Sequence, residues 1–312
     1  MTDTATEQTF VPQPPQSIEA ATAAVEERDG LLVGPVKAPV NLGAGLGAGS
    51  IHDDKTAQKL GFSGGTVAGS VHMQQFPPML VRVFGPEWFE RGGLSCYFQN
   101  ATTHGVPVRP FGRPPQHEAD APPTDAQMEI WAEREDGARV LEGTASIGAP
   151  DEPSVLAERL RNLPPRGEVR ILGHIEPGLT TDAYPTRLEA ERYARTIDAM
   201  TEPLGWYADA SPWGGPIINP GAAVGILRAC EPGFDLRRHK SVGLFGGIEI
   251  NHLAGPMFVG RDYESRGEVL AVGETPRSEY IWYRTRLSDG GTDVAEMVMM
   301  LRFMKGSSDL WE

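Results

Sequence analysis

His52 is the residue whose surroundings best suit chemistry. It falls between a loop carrying Gly43, Gly45, Gly47 and Gly49 and an acidic pair, Asp53 and Asp54. Glycines give such a loop conformations closed to other residues. An imidazole titrates near neutral pH, so a histidine beside carboxylates points to acid–base work, against the plainer reading of a loop histidine bonded to the acidic turn. Ser50 is placed as the N-cap of a short helix, with Asp53 and Asp54 in its first turn. There, carboxylates complement free N–H groups and the positive end of the helix dipole. Gly61 and Gly64-Gly65 then end the segment.

The elements that must hold this loop come in two similar series. After the His52 stretch, 68–84 is apolar through Val71, Met73, Phe76, Met79, Leu80 and Val83, which predicts a buried helix interrupted or kinked at Pro77-Pro78. Short strand-like runs follow at 94–100 and 105–109, then 127–135 and 139–147 with Asp136-Gly137 as the hairpin turn between them. The stretch 110–123 reads as a surface loop with His117 exposed. Residues 148–185 hold six prolines and read as a linker that partly folds over the surface. A helix at 188–200 and an apolar helix at 221–230 come next, then strands at 241–250, 256–272 and 280–304 with Asp289-Gly290-Gly291 as the turn. Gly64-Gly65 matches Gly214-Gly215, Asn100 matches Asn251, and Asp136-Gly137 matches Asp289-Gly290, in the same order and at nearly constant offset. An internal duplication explains this. The expected division is a tail at 1–30 whose first dozen residues are disordered, with a helix at 17–27, then a first half at 31–150, a linker at 151–185 and a second half at 186–306.

The His52 motif resembles the MaoC-like (R)-specific enoyl-CoA hydratases and dehydratases, whose fold is the hotdog. Their signature reads roughly G-D-x-N-P-x-H-x-D-x-x-x-A, followed by Gly-Phe and a small-residue turn. His52 matches the family histidine, Asp54 the Asp after it, and Gly61-Phe62 the Gly-Phe. The family's catalytic Asp falls on Gly47, its Asn on Gly49, its Pro on Ser50, and its later His-Gly on Ala68-Gly69. With the duplication, the resemblance implies an α+β tandem double hotdog, each half an antiparallel sheet wrapped around a central helix. It also implies the activity: adding water to a 2-enoyl thioester, or removing it from a 3-hydroxyacyl thioester, with His52 and Asp54 as the acid–base candidates. The thioester carbonyl would be polarised by a backbone N–H of Gly69, Ser70 or Val71 at the start of the central helix.

Other polar residues are weighed beside these. His72 is placed to face the tunnel or to be a satisfied core histidine. The second half has no counterpart of His52, so it is expected to widen the acyl pocket, with Asn219 and His252 as its substrate-contact candidates. Asp54 also reads as helix-terminus charge, and Glu249 as an outward-facing charge in an alternating strand. Three readings remain: a hydratase or dehydratase, a catalytically reduced hotdog that binds an acyl or polycyclic ligand, and a thioesterase. The last needs a carboxylate on the central helix, and none lies between Ala68 and Phe84.

A formal net charge of −14 argues against attraction to nucleic acid or an anionic membrane. Arg237, Arg238 and Lys240 are a basic cluster that suits a nucleotide phosphate, or a solvated turn, and the turn is the plainer reading. Cys96 and Cys230 lack metal-ligand spacing and read as small buried residues. No nucleotide-binding glycine pattern occurs, because Gly43 to Gly47 does not spell G-x-G-x-x-G, so no nicotinamide or flavin cofactor is implied. With no signal sequence and no apolar run long enough to span a bilayer, the expected place is the cytoplasm. The expected partner is a small acyl thioester, carried by coenzyme A or a protein-bound pantetheine, and a homodimer stays open.

Overall fold

The computed structural model describes residues 12–115 and 122–312, so the expectations for the first dozen residues and for His117 fall partly or wholly outside it. In chain order the strands are β1 (Glu26–Arg28), β2 (Leu31–Val33), β3 (Gly92–Phe98), β4 (Val108–Arg113), β5 (Ala126–Arg134), β6 (Arg139–Ile147), β7 (Tyr184–Thr186), β8 (Val242–His252), β9 (Tyr263–Glu274), β10 (Ser278–Asp289) and β11 (Thr292–Met304). They form one sheet in the order β1-β2-β4-β5-β6-β3-β8-β11-β10-β9-β7. Neighbouring strands run antiparallel throughout. Outward from the β3–β8 seam the two sides repeat: β6, β5, β4 on one and β11, β10, β9 on the other. The fold is the α+β double hotdog that the duplication implies.

Alternation along the strands puts one face of the sheet on the core. Met128, Ile130 and Ala132 of β5 point inward, as do Ile248 and Ile250 of β8. The apolar helices cross this face. The run 68–84 is two helices, Gly69–Met73 and Pro77–Phe84, because Pro77 and Pro78 lack the N–H groups a continuous helix would need and instead open the second one. Met73, Phe76, Met79, Leu80 and Phe84 are buried, each stabilising by roughly 2 kcal/mol relative to exposure. In the second half the helix is Pro220–Leu227, apolar on every side.

Some boundaries move for local reasons. The strand expected at 256–272 starts at Tyr263, because Gly255 and Gly260 take positive φ (87° and 73°) and turn the chain first. The run at 105–109 becomes β4, which starts at Val108. The stretch 17–27 is helical only over Ile18–Ala23 before β1 begins.

The proline-rich connection covers the outer face of the sheet. Its helix Val155–Arg161 buries Leu156 against Tyr280, Trp282, Val298 and Met300. Glu249 does face outward, as expected, but it is 9% exposed under this helix. Its carboxylate accepts the Ser154 hydroxyl and the Asn251 amide (3.0 Å). Further on, the buried Glu279 carboxylate accepts the backbone N–H groups of Arg170 (2.8 Å), Ile171 (2.9 Å) and Leu172 (2.8 Å), pinning the connection to β10. No helix among the described residues is long and apolar enough to cross a membrane.

Candidate active site

The stretch around His52 is built by side chains that each satisfy one backbone group. The helix is Asp54–Lys59, and its N-cap is Asp53 rather than Ser50. The Asp53 carboxylate accepts the Thr56 N–H (2.9 Å) and hydroxyl (2.7 Å), which holds its pKa below the usual carboxylate range. Ser50 accepts the His52 N–H instead (3.2 Å). Asp54 reaches across to the Gly65 N–H (2.7 Å) and so closes the two ends of the motif. Both acids are spent on the backbone, and neither is bonded to the imidazole.

Glycine is required beside His52 because the chain passes so close. A Cβ on Gly43 would lie under 3.0 Å from the imidazole, and one on Gly65 would overlap the His52 carbonyl. The Asn41 amide donates to that same carbonyl (2.9 Å). The ring itself is held by Nδ1, which lies 2.6 Å from the Thr66 carbonyl oxygen. A carbonyl only accepts, so Nδ1 carries the proton and the neutral ring keeps Nε2 bare.

His52 lines a cavity of about 1020 Å³ that opens where β3 and β8 part. Gly69 and His72 line it from the first half, and Arg228, Glu231 and Phe245 from the second. Among the described residues nothing accepts from the Gly69 N–H, as expected in a first helical turn. Phe98 packs where a Gly69 side chain would be, so only glycine fits. His72 is buried and bonds the Thr102 hydroxyl through Nε2 (2.9 Å), while its Nδ1 has no partner among the described residues. Burial lowers its pKa to about 4, so it is neutral at physiological pH.

The other candidates lie elsewhere. Ser70, Val71 and Asp54 are not on the cavity wall. Asn219 caps the Pro220–Leu227 helix, accepting the Ala222 N–H (3.0 Å) and donating to the Tyr193 hydroxyl (3.1 Å). His252 is buried edge-on against Trp88 (5.4 Å between centroids) and Phe89 (6.1 Å), with neither ring nitrogen bonded among the described residues and its pKa lowered by burial to about 4. An apolar helix and an aromatic cluster claim these two polar residues before any pocket can.

Two further groups of side chains border the cavity. Arg228 makes a two-pronged pair with Glu231 (2.7 and 2.8 Å), and the Tyr283 hydroxyl donates to the same carboxylate. The faint signal for this is an Arg and a Glu three residues apart closing an otherwise apolar helix. The second group is basic: Arg237, Lys240 and Arg277 line the cavity with no ion pair among the described residues, whereas Arg238 is paired with Asp235 (2.7 Å). Arg237 and Lys240, for which the sequence left a phosphate patch or, more plainly, a solvated turn, border the cavity. Among the described residues no cluster of His, Cys, Asp and Glu could hold a metal ion.

No family model and no curated protein sequence matches the chain. Solved structures do. A Chloroflexus aurantiacus protein, provisionally described as a MaoC domain dehydratase, superposes with a TM-score of 0.62 at 13% identity, covering 93% of this chain and 98% of that one. A Mycobacterium tuberculosis protein described as a double hotdog superposes with a TM-score of 0.54 at 12% identity, over 93% and 97% of the two chains.

Proposed function

We propose that this chain, a double hotdog with the fold of the MaoC-like dehydratases, acts on acyl thioesters by adding water to a 2-enoyl group or removing it from a 3-hydroxyacyl group. The observation that carries this reading is the imidazole of His52, locked through Nδ1 to the Thr66 carbonyl on the wall of a large cavity, so that in the neutral ring Nε2 is the basic nitrogen. The cavity also borders Gly69, whose free N–H suits a polarised thioester oxygen. In hydration, Nε2 takes a proton from water as its oxygen bonds to the β-carbon. Negative charge gathers on the thioester oxygen against the Gly69 N–H, and the imidazolium returns the proton to the α-carbon. Atoms and charge balance with one residue acting first as base and then as acid.

The experiment is hydration of crotonyl-CoA, followed by loss of the conjugated thioester absorbance, with His52→Asn beside the wild type. Asparagine keeps a donor for the Thr66 carbonyl but has no basic nitrogen. Turnover is expected to fall about a hundredfold or more, with little change in Tm. An equally active variant removes His52 from the mechanism. One observation favours a second reading, a binding protein without turnover: no carboxylate is bonded to the imidazole, and Gly47 stands where the related enzymes carry one. A wild type that binds crotonyl-CoA without hydrating it would establish that reading.

A further inference from the structure

β3 and β8 pair from Gly93 opposite Asn251 to Tyr97 opposite Gly247, and no further. Beyond this point the two strands diverge, and Gly243, Leu244 and Phe245 of β8 line the cavity. On its other side β8 stays paired with β11 down to Val242, with a one-residue irregularity at Gly246. The Val242 N–H points to the β11 side, where it donates to Ser307 Oγ (2.8 Å). Backbone groups alternate along a strand, so Leu244 also faces β11, while the N–H and C=O of Gly243 and Phe245 face the cavity. No hydrogen bond from any described residue reaches them there. A bare strand edge inside a cavity is a template for an extended chain of amides.

The same edge begins beside the cations that have no ion pair among the described residues. Lys240 is two residues before β8, Arg237 precedes it, and Arg277 lies in the turn between β9 and β10. On a chain of net charge −14 this is a local reversal of sign at one end of the edge. From Lys240 to Phe245 an extended chain spans roughly 17 Å.

We propose that the free edge of β8 at Gly243 and Phe245 is the subsite for a phosphopantetheine arm, whose two amides pair with it as an added strand while Arg237, Lys240 and Arg277 take the phosphate. The proposal rests on the acyl-thioester reading and specifies how this chain grips the carrier. Coenzyme A and the prosthetic group of a carrier protein share this arm.

The test is binding, without turnover, of coenzyme A, 4′-phosphopantetheine and pantetheine by titration calorimetry. Both phosphorylated ligands are expected to bind, pantetheine about tenfold more weakly, and the difference to shrink as salt is raised. Coenzyme A binding more tightly than phosphopantetheine means the nucleotide is read as well; equal affinity means the arm alone is read, as on a carrier protein. Combined Arg237→Ala, Lys240→Ala and Arg277→Ala should bring the phosphorylated ligands to the level of pantetheine and leave pantetheine unchanged. Phe245→Pro removes one cavity-facing N–H and no rung to β11, and should weaken all three ligands about tenfold, whereas Phe245→Leu, which keeps the N–H, should not. Hydrogen exchange on the unaltered chain gives the same answer independently: coenzyme A should protect the amides of 242–246. Equal binding of all three ligands, together with no protection of that segment, overturns the subsite. Coenzyme A held at this edge with no hydration of crotonyl-CoA keeps the subsite and removes the reaction. Hydration of the crotonyl thioester of N-acetylcysteamine as efficient as that of crotonyl-CoA does the reverse.

Discussion

Gly221 and Ser70 touch backbone to backbone: a Cβ on the glycine would fall under 3.0 Å from the Ser70 carbonyl oxygen, and would also press on the Gln74 side chain. The two belong to the helices Pro220–Leu227 and Gly69–Met73, one from each half. The halves therefore meet through their helices as well as through the β3–β8 seam.

Gly221→Ala tests that contact. Alanine favours a helix over glycine by close to 1 kcal/mol, so a free helix would gain from the change. Here overpacking should dominate, and a net loss of about 1–3 kcal/mol is expected in chemical denaturation. A more stable variant means the helices do not meet this closely.

His72 and His252 make stability depend on pH. Both have folded pKa values near 4, set by burial, against about 6.5 for an exposed imidazole. Between these values the unfolded chain binds protons that the folded chain refuses, so stability falls as the pH drops from about 6.5 towards 4 and is complete above that window. Each contributes up to about 3 kcal/mol. His252→Phe, in its aromatic surroundings, should remove about half of the slope. An unchanged slope between pH 4 and 6.5 would falsify the assignment.

Gly47 holds φ 75° and ψ −170°, a region that only glycine occupies comfortably. Gly47→Asp should therefore cost about 1–3 kcal/mol. Since Gly47 does not line the cavity, no gain in crotonyl-CoA hydration is expected. A stable variant with markedly faster turnover would show that the loop can deliver the missing carboxylate.

Cutting the chain within the connection should leave neither half soluble as a monomer. A fragment of residues 12–153 would expose the β3 edge that pairs with β8, along with the core face that meets the second half's helix. Size-exclusion chromatography should find it aggregated or dimeric. A monomer that melts cooperatively would contradict the interdependence of the halves.

What the sequence determined by itself was local or repeated. Asp136-Gly137 and Asp289-Gly290-Gly291 announce their hairpins because glycine accepts most readily the positive φ found at Gly137 (79°) and Gly290 (53°), and the repeat of such signals made the double fold legible. His52 stood out through the residue types around it. The tertiary structure decided what those residues do. Asp53 went to the Thr56 N–H one turn on, an open donor of the first helical turn, and Asp54 to the Gly65 N–H, eleven residues away, which only the folded turn brings to it. Asn219 and His252 were taken by a helix cap and an aromatic cluster. Tyr283 joined the local Arg228–Glu231 pair only because β10 lies under the second helix, and Lys240 faces the cavity only because β3 and β8 diverge beside it. Those outcomes depend on pairings between strands far apart in the chain, and no local pattern of residue types encodes them.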